Sequence, residues 1–333
     1  MKISVLSDGG WGTALSVVLC DNGHGVTLWG PFPDYLGEMR RTRRNDQFLK
    51  GVELPAALAL ESDLARACVG ADLVVLAAPS QYMRSLLQRL CSVPRSSDLI
   101  YLNVAKGIDT ESCKRMSELV AEILGGVRYA ILSGPSHAEE VARRIPTAVM
   151  TASGDVAAAG AVQRTFMNHY LRIYTSDDVI GAELGGALKN ILALAAGILD
   201  GMGMGDNTKA ALMTRGIVEM ARLGQALGGK AETFSGLSGI GDLIVTCTSR
   251  HSRNRHVGEE LGKGRKLDEI QHEMGLVVAE GVKTASSAYQ LARRVGVETP
   301  IIDEVYASLY ENKDPRQALR DLMLRDAKPE SLR

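Results

Sequence analysis

The stretch Ile3–Leu19, ISVLSDGGWGTALSVVL, decides the fold of the first half of the chain. It begins with a short apolar strand, passes through the turn Ser7–Gly12 and continues as a helix with apolar residues on one side. A strand, a glycine-rich turn and a helix form the setting of a dinucleotide site, where free N–H groups at the helix start face a pyrophosphate. The turn is altered, because Ser7 replaces the first glycine and Asp8 adds a carboxylate. By itself it fits an ordinary strand–helix connection equally well.

The next strand, Val26–Trp29, leads to the position that normally selects the cofactor. An acidic residue there suits the ribose of NAD, and a basic residue suits the phosphate of NADP. The chain instead continues as Gly30–Pro33, which is neither. We interpret the arginines that follow, at positions 40, 41, 43 and 44, as a solvated helix face.

Further apolar runs predict strands buried on both faces of a parallel sheet. They lie at 71–79, 99–104, 129–132, 148–151 and 171–174, with helical stretches between most of them. The alternation predicts an α/β fold for residues 1–178, a Rossmann-like, doubly wound and mostly parallel sheet. Lys106, Gly134 and Ser136 directly follow strands, so they can face one crevice at the carboxyl edge. Each also has an ordinary explanation, as a surface lysine, a turn glycine or a capping serine.

Residues 179–333 are dominated by helical periodicity and predict an all-helical second domain. A glycine-rich segment at 201–205 interrupts the first helix, and a second one at 235–241 leads Asp242 into a new helix. We expect the tail beyond Asp326 to be frayed. The clearest helical segments are 181–200, 207–228, 255–262, 280–295 and 301–311.

Lys189 occupies an unusual position in the first of these helices. Its helical neighbours are Gly185, Gly186 and Ala193, although each glycine costs about 1 kcal/mol relative to alanine in a helix. One interpretation is close helix packing beneath a solvated lysine. The other is that a ligand approaches this helix and that Lys189 acts on it chemically.

The segment Arg250–His256 is the densest group of anion-binding side chains. Its three arginines, with Ser252 and Asn254, form a plausible phosphate clamp, because guanidinium groups match phosphate oxygens. A solvated basic loop explains the segment equally well.

The composition is that of a globular protein, with 333 residues, 45% apolar residues and a net charge of −1. The charge argues against a general nucleic-acid binder, and we expect no membrane span. The five scattered cysteines indicate free thiols in a reducing cytoplasm rather than disulfides or a metal site.

Taken in order, these segments resemble the bacterial-type NAD(P)-dependent glycerol-3-phosphate dehydrogenases over nearly the whole chain. Those enzymes combine a Rossmann domain with a helical substrate domain and usually form dimers. The segments that carry the resemblance are 132–136, 138–141, 188–203, 207–215, 239–243, 252–254 and 279–281.

The resemblance implies hydride transfer between NAD(P)H and C2 of dihydroxyacetone phosphate or sn-glycerol 3-phosphate, which serves phospholipid synthesis. It makes Lys189 the proton donor and acceptor, which requires a lysine pKa lowered towards neutrality, and Lys106 could supply the cation that lowers it. By resemblance, the substrate is held by Lys106, Gly134, Ser136, Lys189, Asp242, Ser252, Arg253 and Asn254, with Arg253 and Asn254 on the phosphate and Asp242 on a hydroxyl. The residues implied for the cofactor are Gly10, Trp11, Lys106, Ala138, Arg253, Val278 and Glu280.

The chain departs from the family pattern at three places. The family turn reads Gly-Ala-Gly-Ser-Trp-Gly, the family usually has an arginine after the second strand, and His137 stands where Phe is common. We therefore expect NADH to be used at least as well as NADPH. Two alternatives remain at this point, a related hydroxyacid dehydrogenase and a catalytically silent nucleotide sensor.

Overall fold

The computed structural model describes residues 1–327 and 329–330 of the chain. Lys328 and residues 331–333 belong to the tail that we expected to be frayed, and they lie outside the described residues.

An eight-stranded sheet forms the centre of the first half, which confirms the predicted fold class. Its strand order is β10-β9-β8-β7-β6-β1-β2-β5, and every pair is parallel except β8 with β9. Two short strands, β3 and β4, form a separate antiparallel pair. The strands are β1 (Lys2–Leu6), β2 (Gly25–Trp29), β3 (Arg44–Asn45), β4 (Leu49–Glu53), β5 (Ala59–Glu61), β6 (Leu73–Leu76), β7 (Ile100–Asn103), β8 (Arg128–Ser133), β9 (Thr147–Ala152) and β10 (Leu171–Ser176).

Helices cover both faces of this sheet. On β6, Leu73 and Val75 face one apolar core, whereas Val74 and Leu76 face another. This alternation explains why the strand is apolar at every position. The helices are α1 (Gly10–Asp21), α2 (Pro33–Thr42), α3 (Leu64–Cys68), α4 (Ser80–Leu90), α5 (Met116–Leu124), α6 (Ala138–Val141) and α7 (Val156–Phe166).

After β10 the described chain is helical. The helices are α8 (Val179–Gly201), α9 (Asp206–Ala226), α10 (Ala231–Phe234), α11 (Asp242–Thr248), α12 (Arg253–Gly262), α13 (Leu267–Met274), α14 (Glu280–Arg294), α15 (Pro300–Tyr310) and α16 (Pro315–Met323). A π-helical turn, Leu237–Gly241, precedes α11 within the second glycine-rich segment, 235–241. The division at 178/179 stays a prediction.

Helix α8 lies at the centre of the helical half. It is 23 residues long and apolar enough to cross a membrane by length and composition, but 89% of its apolar window is buried inside the protein. Glycines set its contact with α12: a Cβ at Gly197 or Gly201 would overlap the backbone of α12, and one at Gly258 or Gly262 would overlap that of α8. The two helices therefore pack backbone to backbone.

A buried carboxylate joins α8 to the sheet region. Glu183 accepts hydrogen bonds from the Arg115 guanidinium, from the Ser117 hydroxyl and backbone N–H, and from the Tyr129 hydroxyl, at 2.6–2.7 Å. Because breaking one partner of such a buried group is costly, this network holds the start of α8 against β8 and α5.

Candidate active site

Two lysines share one buried carboxylate where the sheet meets α8. The Lys189 ammonium donates to Asp242 Oδ1 at 2.9 Å and to Thr246 Oγ1 at 2.6 Å. The Lys106 ammonium donates to the other carboxylate oxygen, Asp242 Oδ2, at 2.8 Å. Asp242 is 1% exposed and Lys189 is 6% exposed, so this ion pair is shielded from water, whereas Lys106 is partly exposed.

The surroundings of Lys189 shift its proton affinity into the range needed for proton transfer. Burial lowers the pKa of Lys189 to about 8, Asp242 opposes this, and the charge of Lys106 adds to the lowering. Burial would raise the pKa of the Asp242 carboxyl, but the two lysines outweigh burial and hold it below its ordinary value. Asp242 therefore stays ionised while Lys189 titrates near neutrality.

The carboxyl edge of the sheet positions Lys106. It follows β7, where the Asn103 side chain accepts from the Ala105 N–H and donates to the Ala105 carbonyl. Its ammonium also donates to the Gly134 carbonyl at 2.8 Å and to the Ser136 hydroxyl at 3.0 Å. Gly134 has φ +130° and lies against Val149, which favours glycine there. The structure thus joins Lys106, Gly134 and Ser136 in one hydrogen-bonded group.

A chain of amides connects this group to α12. Asn190 donates to the Lys106 carbonyl and accepts from the Asn254 amide, while Asn254 Oδ1 accepts from the Gly281 N–H, at 2.8–2.9 Å. Both ends of the Asn254 amide are thereby engaged with protein. The Ser252 hydroxyl caps α12 by accepting from the Arg255 N–H.

Two of the three arginines in the basic segment, Arg253 and Arg255, are placed differently. Arg253 is exposed at the first turn of α12. Arg255, two residues further along the same helix, pairs with Asp200 of α8 at 2.6 Å. Arg255 is therefore a structural residue that links α12 to α8, and Arg253 remains accessible to a ligand beside the N-terminus of α12.

The glycines beside Lys189 accommodate protein rather than a ligand. A Cβ at Gly185 would lie 2.5 Å from the Ser238 carbonyl oxygen, and one at Gly186 would lie 2.9 Å from Ser133 Oγ. Close packing is thus the correct explanation for the glycines, but the idea of a solvated lysine is wrong, because Lys189 is buried.

The turn after β1 keeps a shape suited to glycine despite its altered sequence. Ser7 has φ +130°, a backbone conformation that non-glycine residues rarely adopt. Gly10 begins α1 beneath the Phe48 carbonyl, and a Cβ there would lie 3.7 Å from Ala138 Cβ. Gly10 and Ala138 are therefore neighbours at the start of α1.

The residues of this turn fit a dinucleotide. Buried Trp11 Nε1 and Asp8 Oδ2 each lack a hydrogen-bond partner among the described residues. A buried polar atom without a partner needs an explanation, and a bound molecule that supplies the missing partner is one. The 12-residue α1 presents its N-terminal N–H groups beside them.

The remaining two candidates lie where α14 meets α4. Glu280, the first residue of α14, accepts from the Ser80 N–H at 2.9 Å. Val278 lines a pocket together with Gln81 and Tyr82 of α4. These contacts place both candidates beside the start of α4.

Sequence reasoning did not assign three residues that the structure brings into this site. Asn190 donates to the Lys106 carbonyl, and Thr246 accepts from the Lys189 ammonium. Thr246 could have been found from the sequence, because it lies four residues after Asp242 on one helix. His137 lies nearby, with its buried Nε2 lacking a partner in the described part of the chain. Burial and the charge of Lys189 lower the pKa of His137.

Comparisons with known proteins agree with this architecture. The profile of the N-terminal part of NAD-dependent glycerol-3-phosphate dehydrogenase matches residues 2–159, and that of the C-terminal part matches residues 178–320. Glycerol-3-phosphate dehydrogenase [NAD(P)+] of Syntrophotalea carbinolica is 51% identical over 99% of both chains. The enzyme of that name from Geobacillus kaustophilus is 51% identical over 99% of this chain and 96% of its own.

A solved structure extends the agreement to three dimensions. The glycerol-3-phosphate dehydrogenase of Coxiella burnetii superposes with a TM-score of 0.94 at 37% identity, covering 97% of this chain and 99% of its own. Together, the buried lysine pair, the strand–turn–helix and the full-length similarity show that this chain belongs to the NAD-dependent glycerol-3-phosphate dehydrogenase family.

Proposed function

We propose that this protein is an NAD(P)-dependent sn-glycerol-3-phosphate dehydrogenase that interconverts dihydroxyacetone phosphate and sn-glycerol 3-phosphate. The observation that carries the proposal is the sharing of Asp242 between Lys189 and Lys106. The shared carboxylate holds both ammonium groups at the edge of a sheet where cofactors bind, and burial, helped by the charge of Lys106, lowers the pKa of Lys189 to about 8 against the opposing effect of Asp242.

Lys189 transfers the proton. In the reductive direction its ammonium donates to the C2 oxygen as the ketone becomes an alcohol, and in the oxidative direction its neutral amine accepts that proton. The Lys189 ammonium has three N–H bonds, of which Asp242 and Thr246 take two. The third is left for the substrate oxygen, and the first two fix its direction.

Lys106 adds positive charge to the substrate site from the other side of Asp242, and it binds the substrate directly by exchanging one of its three protein acceptors for a substrate oxygen. Its contacts with Gly134 and Ser136 keep its charge within the same crevice, and Asp242 orients both lysines. Arg253 and the N-terminus of α12 bind the substrate phosphate, because a guanidinium group and a positive helix end both attract a dianion. Ser252 and Asn254 support this end by capping α12 and linking it to α14.

NAD(P)H supplies the hydride for this reaction. Gly10, Trp11 and Ala138 hold its pyrophosphate and nicotinamide side at the start of α1. Val278, Glu280 and Arg253 hold it from the helical half. We assign residues 1–178 to cofactor binding and residues 179–333 to substrate binding and catalysis.

The cellular role that we propose is the supply of sn-glycerol 3-phosphate for phospholipid synthesis by a cytoplasmic homodimer. These points rest on the resemblance of the chain to its family. Size-exclusion chromatography with light scattering tests the dimer, and loss of phospholipid synthesis on gene deletion tests the role.

The direct test measures oxidation of NADH with dihydroxyacetone phosphate. We expect turnover by the wild-type protein and a loss of roughly 10²-fold or more in kcat for Lys189→Ala, the size typical of a lost general acid. Lys263→Ala, which removes an exposed lysine outside the site, is the matched control. A folded wild-type protein that is inactive with both NADH and NADPH would instead favour a nucleotide sensor.

A further inference from the structure

The carboxylate of Asp8 lies against Gly30. Asp8 follows β1 and Gly30 follows β2, and these strands are adjacent and parallel, with Leu6 paired to Trp29. A Cβ built on Gly30 would overlap the Asp8 carboxylate and lie 2.7 Å from its Cγ. The missing side chain at position 30 is therefore what makes room for the carboxylate at position 8.

The backbone around Asp8 is firmly held. The Asp8 carbonyl accepts from Asn45 Nδ2 at 2.6 Å and from the Thr13 hydroxyl at 3.2 Å. The side chain is 4% exposed and lies between the turn and Gly30 at the end of β2. The position of the carboxylate is thus set by the fold.

The carboxylate itself is incompletely satisfied. Within the described residues, buried Asp8 Oδ2 has no hydrogen-bond donor. Leaving a buried acceptor without a partner costs free energy, which a bound donor would recover. Burial raises the pKa of Asp8 to about 6, so the group is mainly ionised at neutral pH.

The location of this acceptor matches a known requirement of dinucleotide recognition. In Rossmann folds an acid at the end of the second strand accepts from the adenosine ribose 2′-hydroxyl of NAD, and an arginine there accommodates the 2′-phosphate of NADP. Position 30 offers neither side chain. Asp8 brings a carboxylate to the same place from the neighbouring strand.

Two of the arginines that follow β2 form hydrogen bonds with the backbone. Arg40 donates to the Leu60 carbonyl at 2.6 Å, and Arg43 donates to the carbonyls of Pro55 and Leu58. The prediction that Arg43 lies on a solvated helix face is therefore wrong, because its guanidinium group is bound to backbone carbonyls and it is only partly exposed. Their engagement with the backbone makes these two arginines less available to a 2′-phosphate.

We propose that Asp8, seated against Gly30, selects NADH over NADPH by accepting a hydrogen bond from the ribose 2′-hydroxyl and repelling a 2′-phosphate. The proposal deepens the proposed function and rests on it for the identity of the cofactor. In this proposal the residue that discriminates between NADH and NADPH lies in the turn Ser7–Gly12, not directly after β2.

Equilibrium binding tests the proposal without turnover. We would measure Kd for NADH and for NADPH by calorimetry on wild type, Asp8→Ala and Asp8→Asn. A hydrogen bond to a charged group corresponds to roughly 10- to 100-fold in affinity, so we expect wild type to prefer NADH by at least about that lower factor. Asp8→Ala should lose most of this preference, chiefly by weaker NADH binding.

The other variants separate charge from folding. Asp8→Asn keeps the size of the side chain and removes its charge, so NADPH should bind more tightly to it than to wild type, even if Asp8→Ala fails to fold. Asp34→Ala removes an exposed carboxylate from the first turn of α2 and should leave the Kd ratio unchanged. A wild-type preference for NADPH, or an unchanged ratio in both Asp8 variants, would overturn the proposal.

Measuring both cofactor binding and turnover on the same purified protein separates the proposal for Asp8 from the proposed dehydrogenase activity. Tight and selective NADH binding without reduction of dihydroxyacetone phosphate would refute the proposed dehydrogenase activity and still support the role of Asp8. If the protein reduces dihydroxyacetone phosphate but the ratio of the Kd values for NADH and NADPH is the same in wild type and the Asp8 variants, the dehydrogenase activity stands and the role of Asp8 is refuted.

Discussion

Gly185 and Ser238 touch through their backbones, since a methyl group on Gly185 would lie 2.5 Å from the Ser238 carbonyl oxygen. Ser238 belongs to the π-helical turn that leads directly into Asp242. The distance between α8 and this turn therefore fixes the distance between Lys189 and its carboxylate partner. The glycine contributes to the site without touching a ligand.

We expect Gly185→Ala to impair both stability and activity. The added methyl group must push the π-helical turn away, at a cost of about 1–3 kcal/mol for overpacking. The displacement would move Asp242 and lower kcat, which steady-state kinetics and thermal unfolding would measure together. Gly37→Ala is the control: its Cβ meets nothing within 4 Å in the described structure, and alanine in α2 should raise stability by up to about 1 kcal/mol. Wild-type kcat and stability in Gly185→Ala would contradict the argument.

The pKa of Lys189, about 8, predicts opposite pH profiles for the two directions of the reaction. Reduction needs the ammonium form, so kcat/KM for dihydroxyacetone phosphate should fall as the pH rises through about 8. Oxidation needs the neutral amine, so kcat/KM for sn-glycerol 3-phosphate should rise over the same range. The Asp242 carboxylate raises this pKa, and Asp242→Asn should therefore move both inflections to lower pH. Inflections that stay in place would exclude Lys189 as the titrating group.

The strained conformation of Ser7 predicts a stabilising substitution. Ser7 has φ +130°, which glycine adopts without a steric penalty. Ser7→Gly should raise the free energy of unfolding by about 1 kcal/mol, measured in urea, since strain of this kind costs on the order of 1–3 kcal/mol and the Ser7 hydroxyl contact with the Gly9 N–H is lost. Ser7→Ala keeps the Cβ and the strain, so it should bring no gain. Equal stability of the two variants would count against strain at this position.

Glu219 predicts a pH dependence of stability away from the site. It accepts from the N–H groups of Ile301 and Ile302 at the start of α15, and burial raises its pKa from 4.5 to about 7. Because the unfolded state loses this proton at lower pH than the folded state, stability should fall as the pH rises from about 4.5 to 7. The loss is at most about 3 kcal/mol. Unfolding in urea at pH 5 and pH 8 would measure this loss. Between these pH values the free energy of unfolding should fall more for wild type than for Glu219→Gln, which has no carboxyl group to titrate. An equal change in both proteins would refute the prediction.

Much of the sheet was predictable because continuous apolar runs such as Leu73–Leu76 are the mark of strands buried on both faces. The strands that sequence reasoning missed, Ala59–Glu61 and the pair Arg44–Asn45 with Leu49–Glu53, are short and carry polar residues. Their pairing depends on partners elsewhere in the chain, which local periodicity does not reveal.

Residue types at the site were also more predictable than their contacts. Lys189 was conspicuous beside two glycines, but what those glycines face is a tertiary fact, since Ser238 lies far along the chain. Asp242 was expected on a substrate hydroxyl, and its ion pairs with both lysines emerge only when α11 packs on α8. Similarly, nothing in the sequence around Asp8 indicates that Gly30 makes room for its carboxylate.

The shared carboxylate has a consequence for how the protein becomes active. Asp242 is 136 positions from Lys106 and 53 from Lys189, and the three side chains come from the sheet edge, α8 and α11. A molecule whose sheet and helices have formed but not yet docked has native secondary structure and no working proton donor. The rate at which turnover recovers during refolding therefore reports the final docking step. The rate at which the circular dichroism signal recovers reports the earlier formation of secondary structure.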